Sequence, residues 1–267
     1  MKQKLKFTLA VMAAISSVPA FAHISYSGRN FGTLDGVVST GSTIVGKSVT
    51  SNAGWADAAD AAASDKLIWG DSHKSVAFTF VLTNTSSVTF SVLANTAFNT
   101  GVGNVASLLP GFSIYEGKAA VSPFTSPQSS ADYDFSAASA AWLLNANPGN
   151  ANLPFQAYGG VWNATGDWKV GGDGDSVGVL SALTSFSYKG TAIDSDLNGS
   201  ASGTFVLGPG TYSVFIGGNN YADYGNPLKF GLNATLAVTA VPEPETYAMM
   251  LAGLSLLGFV ARRRRAR

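Results

Sequence analysis

Two histidines, one acidic turn and one glycine-rich octapeptide are the residues of this 267-residue chain whose types and spacing could do chemistry. The histidines are His23 and His73. His23 directly follows Ala20-Phe21-Ala22, an A-x-A cleavage site, so cleavage after Ala22 makes it the mature N-terminus. A free α-amine, the imidazole of that residue and one further imidazole form a three-nitrogen set suited to copper. The other reading is that His23 merely happens to follow the cleavage site and His73 is a loop residue. In Asp194-Ser195-Asp196-Leu197-Asn198-Gly199, the oxygens of Asp194, Asp196 and Asn198 alternate as in the first half of a calcium loop, and Gly199 permits the tight turn. The twelfth position, where an EF-hand has Glu, is Phe205. The choice is between a calcium site completed elsewhere, for instance by Asp173 and Asp175, and a solvated turn. Residues 41–48 fit the phosphate-binding pattern G-x-x-x-x-G-K-[ST], but residues 49–54 start no helix, so the segment reads as a turn rich in Gly, Ser and Thr. Hydrolase sites are poorly represented. There is no G-x-S-x-G elbow, Glu116 is the one glutamate between residues 23 and 240, and Asp71, Ser72 and His73 are neighbours in sequence, which is no evidence of a triad. Trp55, Trp69, Trp162 and Tyr221 can stack on sugars or plug a core.

The three-nitrogen set resembles the histidine brace of lytic polysaccharide monooxygenases, which implies oxidative action on polysaccharide. That resemblance is carried by His23, His73 and the cleavage site alone.

These residues must be placed by the segments around them, and the termini are the plainest. Lys2, Lys4 and Lys6, an apolar run over 7–18 and the site at Ala20 and Ala22 make a secretory signal peptide over residues 1–22. At the other end come Pro242-Glu243-Pro244, sixteen uncharged residues over 246–261, and the cluster Arg262, Arg263, Arg264 and Arg265. As a helix the uncharged run is roughly 24 Å long, somewhat short of the ~30 Å hydrocarbon core, so it spans only with local thinning or snorkelling arginines. The arginines prefer the cytoplasmic side. Breaker, span and basic stop over 241–267 resemble a PEP-CTERM sorting signal. The resemblance implies an inner-membrane intermediate, exosortase cleavage near Pro-Glu-Pro, and delivery to the surface or extracellular polysaccharide of a Gram-negative bacterium.

Removing the termini changes the charge. Lys2, Lys4, Lys6, Arg262 to Arg265 and Arg267 are half of the sixteen basic residues, so residues 23–240 keep eight basic against fourteen acidic and are about six units negative. Nucleic-acid binding, which needs clustered Lys and Arg, is excluded on that balance. With no cysteine there is no disulfide framework in a compartment that allows one.

The body, residues 23–240, reads as strands parted by Gly, Asn and Ser. Alternation over 75–83 resumes over 88–92 after a polar break, which predicts a hairpin. Phe112 and Ile114 mark a short strand, Gly208-Pro209-Gly210 a turn between two more, and 228–238 the longest. Helical signal is confined to 55–66 and 136–144, and residues 119–172, with Trp142, Trp162 and Trp168, read as long loops packed by aromatics. The fold class is all-β, an antiparallel β-sandwich or jelly roll flanked by the signal peptide and a C-terminal hydrophobic helix. Residues 207–221 also resemble the last hairpin of exported β-sandwich modules related to bacterial pre-peptidase C-terminal domains.

The sequence therefore predicts an exported, non-enzymatic surface or matrix protein, structural or adhesive and associated with exopolysaccharide. The alternatives are a copper enzyme acting on polysaccharide through His23 and His73, and a carbohydrate-binding module stabilised by calcium at Asp194, Asp196 and Asn198. Expected partners are signal peptidase, exosortase and, through the tail, the membrane.

Overall fold

The computed structural model describes residues 24–36, 40–56, 58–59, 68–72, 74–97, 107–119, 161–170, 184–223, 228–241 and 244–265. Its strands are β1 (Asn30–Leu34), β2 (Thr40–Thr50), β3 (Ala58–Ala59), β4 (Ile68–Asp71), β5 (Val76–Leu82), β6 (Ser86–Ala94), β7 (Pro110–Glu116), β8 (Val161–Asn163), β9 (Trp168–Val170), β10 (Thr184–Ile193), β11 (Ser200–Leu207), β12 (Gly210–Gly218) and β13 (Lys229–Ala240). One helix, α1 (Pro244–Arg265), follows.

Strict alternation of apolar and polar residues suits a sheet with one wet face, whereas continuous apolar runs suit a sheet covered on both. Both patterns occur. In β6 and β13 buried and more exposed positions alternate along most of the strand; these strands form the centre of a four-stranded sheet in the order β11-β6-β13-β2. In β7 and β12 almost every residue is buried, and they lie at the centre of a six-stranded sheet, β1-β5-β12-β7-β10-β9. Pairing is antiparallel except between β1 and β5.

The two large sheets share one core. Phe78, Phe80 and Leu82 of β5, Phe112 and Ile114 of β7, and Val214 and Ile216 of β12 meet Val88, Phe90 and Val92 of β6 and Leu232, Ala234, Leu236 and Val238 of β13. Phe90 makes edge contacts with Phe31, Phe78 and Phe112, at centroid distances of 5.9, 6.5 and 5.0 Å, the geometry aromatic quadrupoles favour. Burying such a ring contributes about 1.5–3 kcal/mol. The far face of the six-stranded sheet carries a second core, built around Tyr115 and Phe215. It packs on Trp162 of the small sheet β3-β4-β8 and on Trp168 of β9. The chain is thus a sandwich with an added aromatic layer.

Four sequence expectations change. The segments over 75–83 and 88–92 are strands but not a hairpin: β5 pairs with β1 and β12, β6 with β11 and β13. Their apolar faces oppose each other across the core, and residues 83–85 carry the chain from one sheet to the other. The turn at Gly208-Pro209-Gly210 likewise joins β11 and β12 in different sheets, so residues 207–221 form no hairpin. Of the region over 119–172, Trp162 and Trp168 lie in short strands, not loops. Of the stretch with helical signal over 55–66, Ala58 and Ala59 pair as a strand with Trp69 and Ile68. The stretch over 136–144 and Trp142 lie outside the described residues.

Glycines make one of these junctions possible. A Cβ on Gly217 or Gly218 would stand 2.2 Å from Trp55 N or 2.0 Å from the Asn52 carbonyl carbon, so only glycine lets residues 51–56 lie on the end of β12. There the Gly218 carbonyl accepts the N–H groups of Trp55 and Ala56, and Trp55, 1% exposed, donates its indole N–H to Ser113 Oγ at 2.8 Å.

Candidate functional site

The C-terminal junction is built by β13. It is a central strand, paired along one side with β6 from Leu232↔Ala94 to Ala240↔Ser86 and along the other with β2 from Lys229↔Thr50 to Val238↔Thr40. Its last two residues, Thr239 and Ala240, pair with Ser87 and Ser86 of β6, and both are exposed; residues 37–39, which precede β2, lie outside the described residues. Pro244 opens α1, where a residue lacking an N–H is tolerated because the first helical amides have no partner. Pro242 and Glu243, between the two elements, lie outside the described residues, as do Ala20, Ala22 and His23.

Along α1, Met249, Met250, Leu251, Leu254, Leu256 and Leu257 are 55–74% exposed. At 100° per residue these six side chains occupy more than half of the helix circumference. A helix in a globular body buries an apolar stripe; over 249–257, where burial is described, every residue of this one is exposed. Among the described residues no helix is long and apolar enough to cross a membrane. Arg262 and Arg263 close the helix in solvent, and Arg264 and Arg265 are its last two residues.

The acidic run forms the link between β10 and β11. Asp194 is 1% exposed. Its N–H donates to the Pro110 carbonyl at 2.8 Å, its Oδ1 accepts the Asn198 N–H at 3.0 Å, and its Oδ2 accepts the Gly199 N–H at 2.7 Å. Asn198 Oδ1 accepts the Ser200 N–H at 2.9 Å. Leu197 and Gly199 take positive φ of 56° and 82°, the backbone reversal this carboxylate holds. Asp196 is exposed, with Ser195 Oγ donating to it at 3.3 Å. Asp173 and Asp175 lie outside the described residues, and among those described no group of three or more His, Asp or Glu residues could hold a metal ion.

His73 also lies outside the described residues, so nothing here brings the two imidazoles together or separates them. Its neighbour Asp71 forms an ion pair with Lys74 at 3.2 Å. The octapeptide over 41–48 is not a turn: it lies within β2, opposite β13. Gly46, at φ 66°, makes a bulge opposite Asn233, whose Oδ1 accepts the Gly46 N–H at 3.1 Å. Its backbone donors are spent on a strand, and no helix follows. Trp55, Trp69 and Trp162 are buried, so of the four aromatics suited to sugar stacking only Tyr221, 48% exposed, meets solvent.

A surface that sequence reading missed is the outer face of the four-stranded sheet. Ser202, Ser91, Thr235 and Thr43 stand opposite one another across all four strands. Hydroxyls pair across it: Ser91 with Ser202 at 2.8 Å, Thr89 with Thr204 at 2.8 Å, and Thr43 with Thr235 at 3.0 Å. β6 and β11 carry no charged residue, β13 only Lys229 and β2 only Lys47. Each hydroxyl pair spends one donor on itself and keeps one donor and several acceptor positions for solvent or ligand. The signal was present in the Ser and Thr at alternate positions of β6, β11 and β13, but it becomes a surface only once those strands are neighbours.

Comparison with known proteins bears on the junction. Residues 240–265 match the PEP-CTERM protein-sorting motif, so the chain carries the tail of an exosortase-sorted, exported protein. No curated protein matches the sequence. Among solved structures, the chain is similar to CorA of Methylomicrobium album BG8, a surface-associated copper-binding protein important in copper acquisition. The identity is 13% over 82% of this chain and 99% of that one, with a TM-score of 0.40. It is similar also to MopE, a secreted protein of Methylococcus capsulatus in which an oxidized tryptophan facilitates copper binding, at 12% identity over 83% and 93% of the two chains and a TM-score of 0.36. A third likeness is to PliG of Aeromonas hydrophila, a periplasmic inhibitor of g-type lysozyme, at 9% identity over 79% and 98% and a TM-score of 0.26.

Proposed function

We propose that this is a non-catalytic structural or adhesive protein of the bacterial surface or extracellular matrix, sorted by its tail and associated there with exopolysaccharide. The observation that carries the reading is the sorting motif at 240–265, attached to the last strand of the body. In the precursor α1 lies in the inner membrane. Its side chains, apolar and exposed on many sides, are suited by lipid rather than by protein, and its arginine cluster stays on the cytoplasmic side. The apolar part is short for a bilayer, so the helix is held by thinning and by snorkelling arginines, an anchor suited to a passing intermediate. Cleavage near Pro242-Glu243-Pro244 then frees the body.

What the freed body offers a matrix is the hydroxyl face. It donates and accepts hydrogen bonds without charge, which matches an uncharged polyol and avoids the cost of burying unpaired ions. The test is co-sedimentation of the processed body with uncharged and with acidic exopolysaccharide. We expect retention by the uncharged polymer, reduced about tenfold or more when Ser91 and Thr204 are both changed to Lys, a loss of roughly 1.4 kcal/mol. A body retained by no polysaccharide would contradict association with the matrix.

A further inference from the structure

We propose that Asn198 is a site of N-linked glycosylation, and that the turn Asp196-Leu197-Asn198-Gly199-Ser200 is what an oligosaccharyltransferase reads once the chain has been exported. The inference goes beyond the sorting reading and needs from it only export. An asparagine two places before a serine or threonine is the acceptor pattern for this modification, and it takes a glycan where it lies on the surface of an exported protein. Four asparagines of the chain fit the pattern: Asn84, Asn163, Asn198 and Asn233. Bacterial transferases also read a carboxylate two places before the asparagine, a charged handle for a cationic side chain of the enzyme. The residues at that place are Leu82, Val161, Asp196 and Gly231, so Asn198 alone has the handle.

Burial and hydrogen bonding make the same choice independently. Asn163 is 4% exposed. Asn84 is exposed, but its Nδ2 donates to the Asp35 carbonyl at 3.0 Å, and the Ser86 that completes its pattern is fully buried. Asn233 is half-buried in the central strand β13, where its Oδ1 accepts the Gly46 N–H and the Asn95 Nδ2, each at 3.1 Å. Asn198 is exposed, as are Asp196 and Leu197 beside it. Its Oδ1 accepts the Ser200 N–H at 2.9 Å, and among the described residues its Nδ2 has no partner. Behind it the buried Asp194 carboxylate receives the Asn198 and Gly199 N–H groups, so the free amide projects from a reversal that is already formed. The site is also clear of the tail. Ser200 pairs with Leu93 near the end of β6, whereas Ala240 pairs with Ser86 at its start.

The sugar donor this chemistry requires is an oligosaccharide carried on a polyprenyl diphosphate. The bond between sugar C1 and the diphosphate oxygen breaks, and its electron pair leaves with the lipid diphosphate. Nδ2 forms the new bond to C1 and gives up one proton to a base of the transferase. An amide nitrogen is a poor nucleophile because its lone pair is shared with the carbonyl. The N–H that Ser200 donates to Oδ1 stabilises the negative charge gathering on that oxygen as the proton leaves.

The experiment is glycopeptide mass spectrometry of the protein recovered from the bacterium that makes it. The peptide holding Asn198 should carry an N-linked glycan, and those holding Asn84, Asn163 and Asn233 should be bare. Ser200→Ala keeps Asn198 and its turn and should abolish the modification. Asp196→Ala, an exposed change, should lower occupancy about tenfold, the worth of one charge-assisted contact. A bare Asn198 in the wild-type protein would overturn the proposal, as would wild-type occupancy in either variant. Equal occupancy at all four asparagines would also overturn it, because the exposed turn would then select nothing. A glycan that stays on the protein after Asn198→Gln would contradict it too, placing the sugar on hydroxyl groups instead.

Discussion

At the scale of single residues, the structure separates carboxylates and phenols that hold the fold from those free to act. Asp194 is the clearest case. Its two oxygens receive two backbone N–H groups in a buried reversal, so Asp194→Ala leaves both donors unmet and should cost about 2 kcal/mol or more in urea unfolding, with or without calcium. Asp196, exposed, should tolerate Ala within about 0.5 kcal/mol. Equal losses at the two positions, appearing only when calcium is present, would instead establish the calcium site. A second residue-scale case is Tyr26, whose hydroxyl receives the Ala119 N–H at 3.3 Å and meets Ser213 Oγ at 2.8 Å, while Ser213 donates to the Gly117 carbonyl. Burial pushes its pKa up to about 12, against its hydrogen bonds with Ser213 and Ala119, which lower it. Between pH 10 and 12 the unfolded chain has released this proton and the native state still holds it, so stability present below pH 10 is lost as pH rises. The loss is roughly 2–3 kcal/mol. Tyr26→Phe should flatten that limb of the stability profile, and an alkaline limb identical to wild type would contradict the assignment. Burial raises Tyr115 as well, so some alkaline loss should remain in the variant.

At the scale of elements, the lesson lies in which strands are neighbours. Alternation located β5, β6, β7, β12 and β13 in the sequence because a half-buried strand must place every second side chain inward. It could not reveal partners. The break over residues 83–85 has the composition of a hairpin turn, yet it crosses between sheets because Phe78 and Phe80 on one side and Phe90 on the other bury each other. Likewise the phosphate-loop pattern over 41–48 was legible as letters and wrong as a turn, since long-range pairing with β13 claims it. The aromatic layer was missed for a different reason. Trp162 and Trp168 lie in three-residue strands too short to show a period, and the usable clue was that β7 and β12 also carry Tyr115 and Phe215 on the face opposite Phe112, Ile114, Val214 and Ile216, which implies cover on both faces. The pairing itself can be checked. Ser91→Cys with Ser202→Cys places two thiols where hydroxyls now stand 2.8 Å apart, and the pair should oxidise to a disulfide that raises stability by roughly 2–4 kcal/mol. Failure to crosslink in the folded protein would contradict the β6–β11 register.

At the scale of the whole molecule, a three-layer β body is joined to a tail that carries a sorting motif. Address was legible in the sequence because breaker, apolar run and arginines are contiguous and need no tertiary structure. The hydroxyl face was not, because its Ser and Thr residues come from four strands brought together only by folding. The brace through His23 and His73 falls on residues outside those described and stays an expectation of the sequence. What unites the molecule is the claim that Pro242-Glu243-Pro244 is a processing signal and α1 a discarded anchor. Intact mass spectrometry tests it most directly, on wild-type protein and on a variant with all three residues changed to Ala, both made in cells carrying the matching exosortase. The wild-type product should have lost α1 and left the membrane fraction, and the variant should keep its full tail and stay membrane-bound. Equal masses and equal membrane fractions for the two would contradict it.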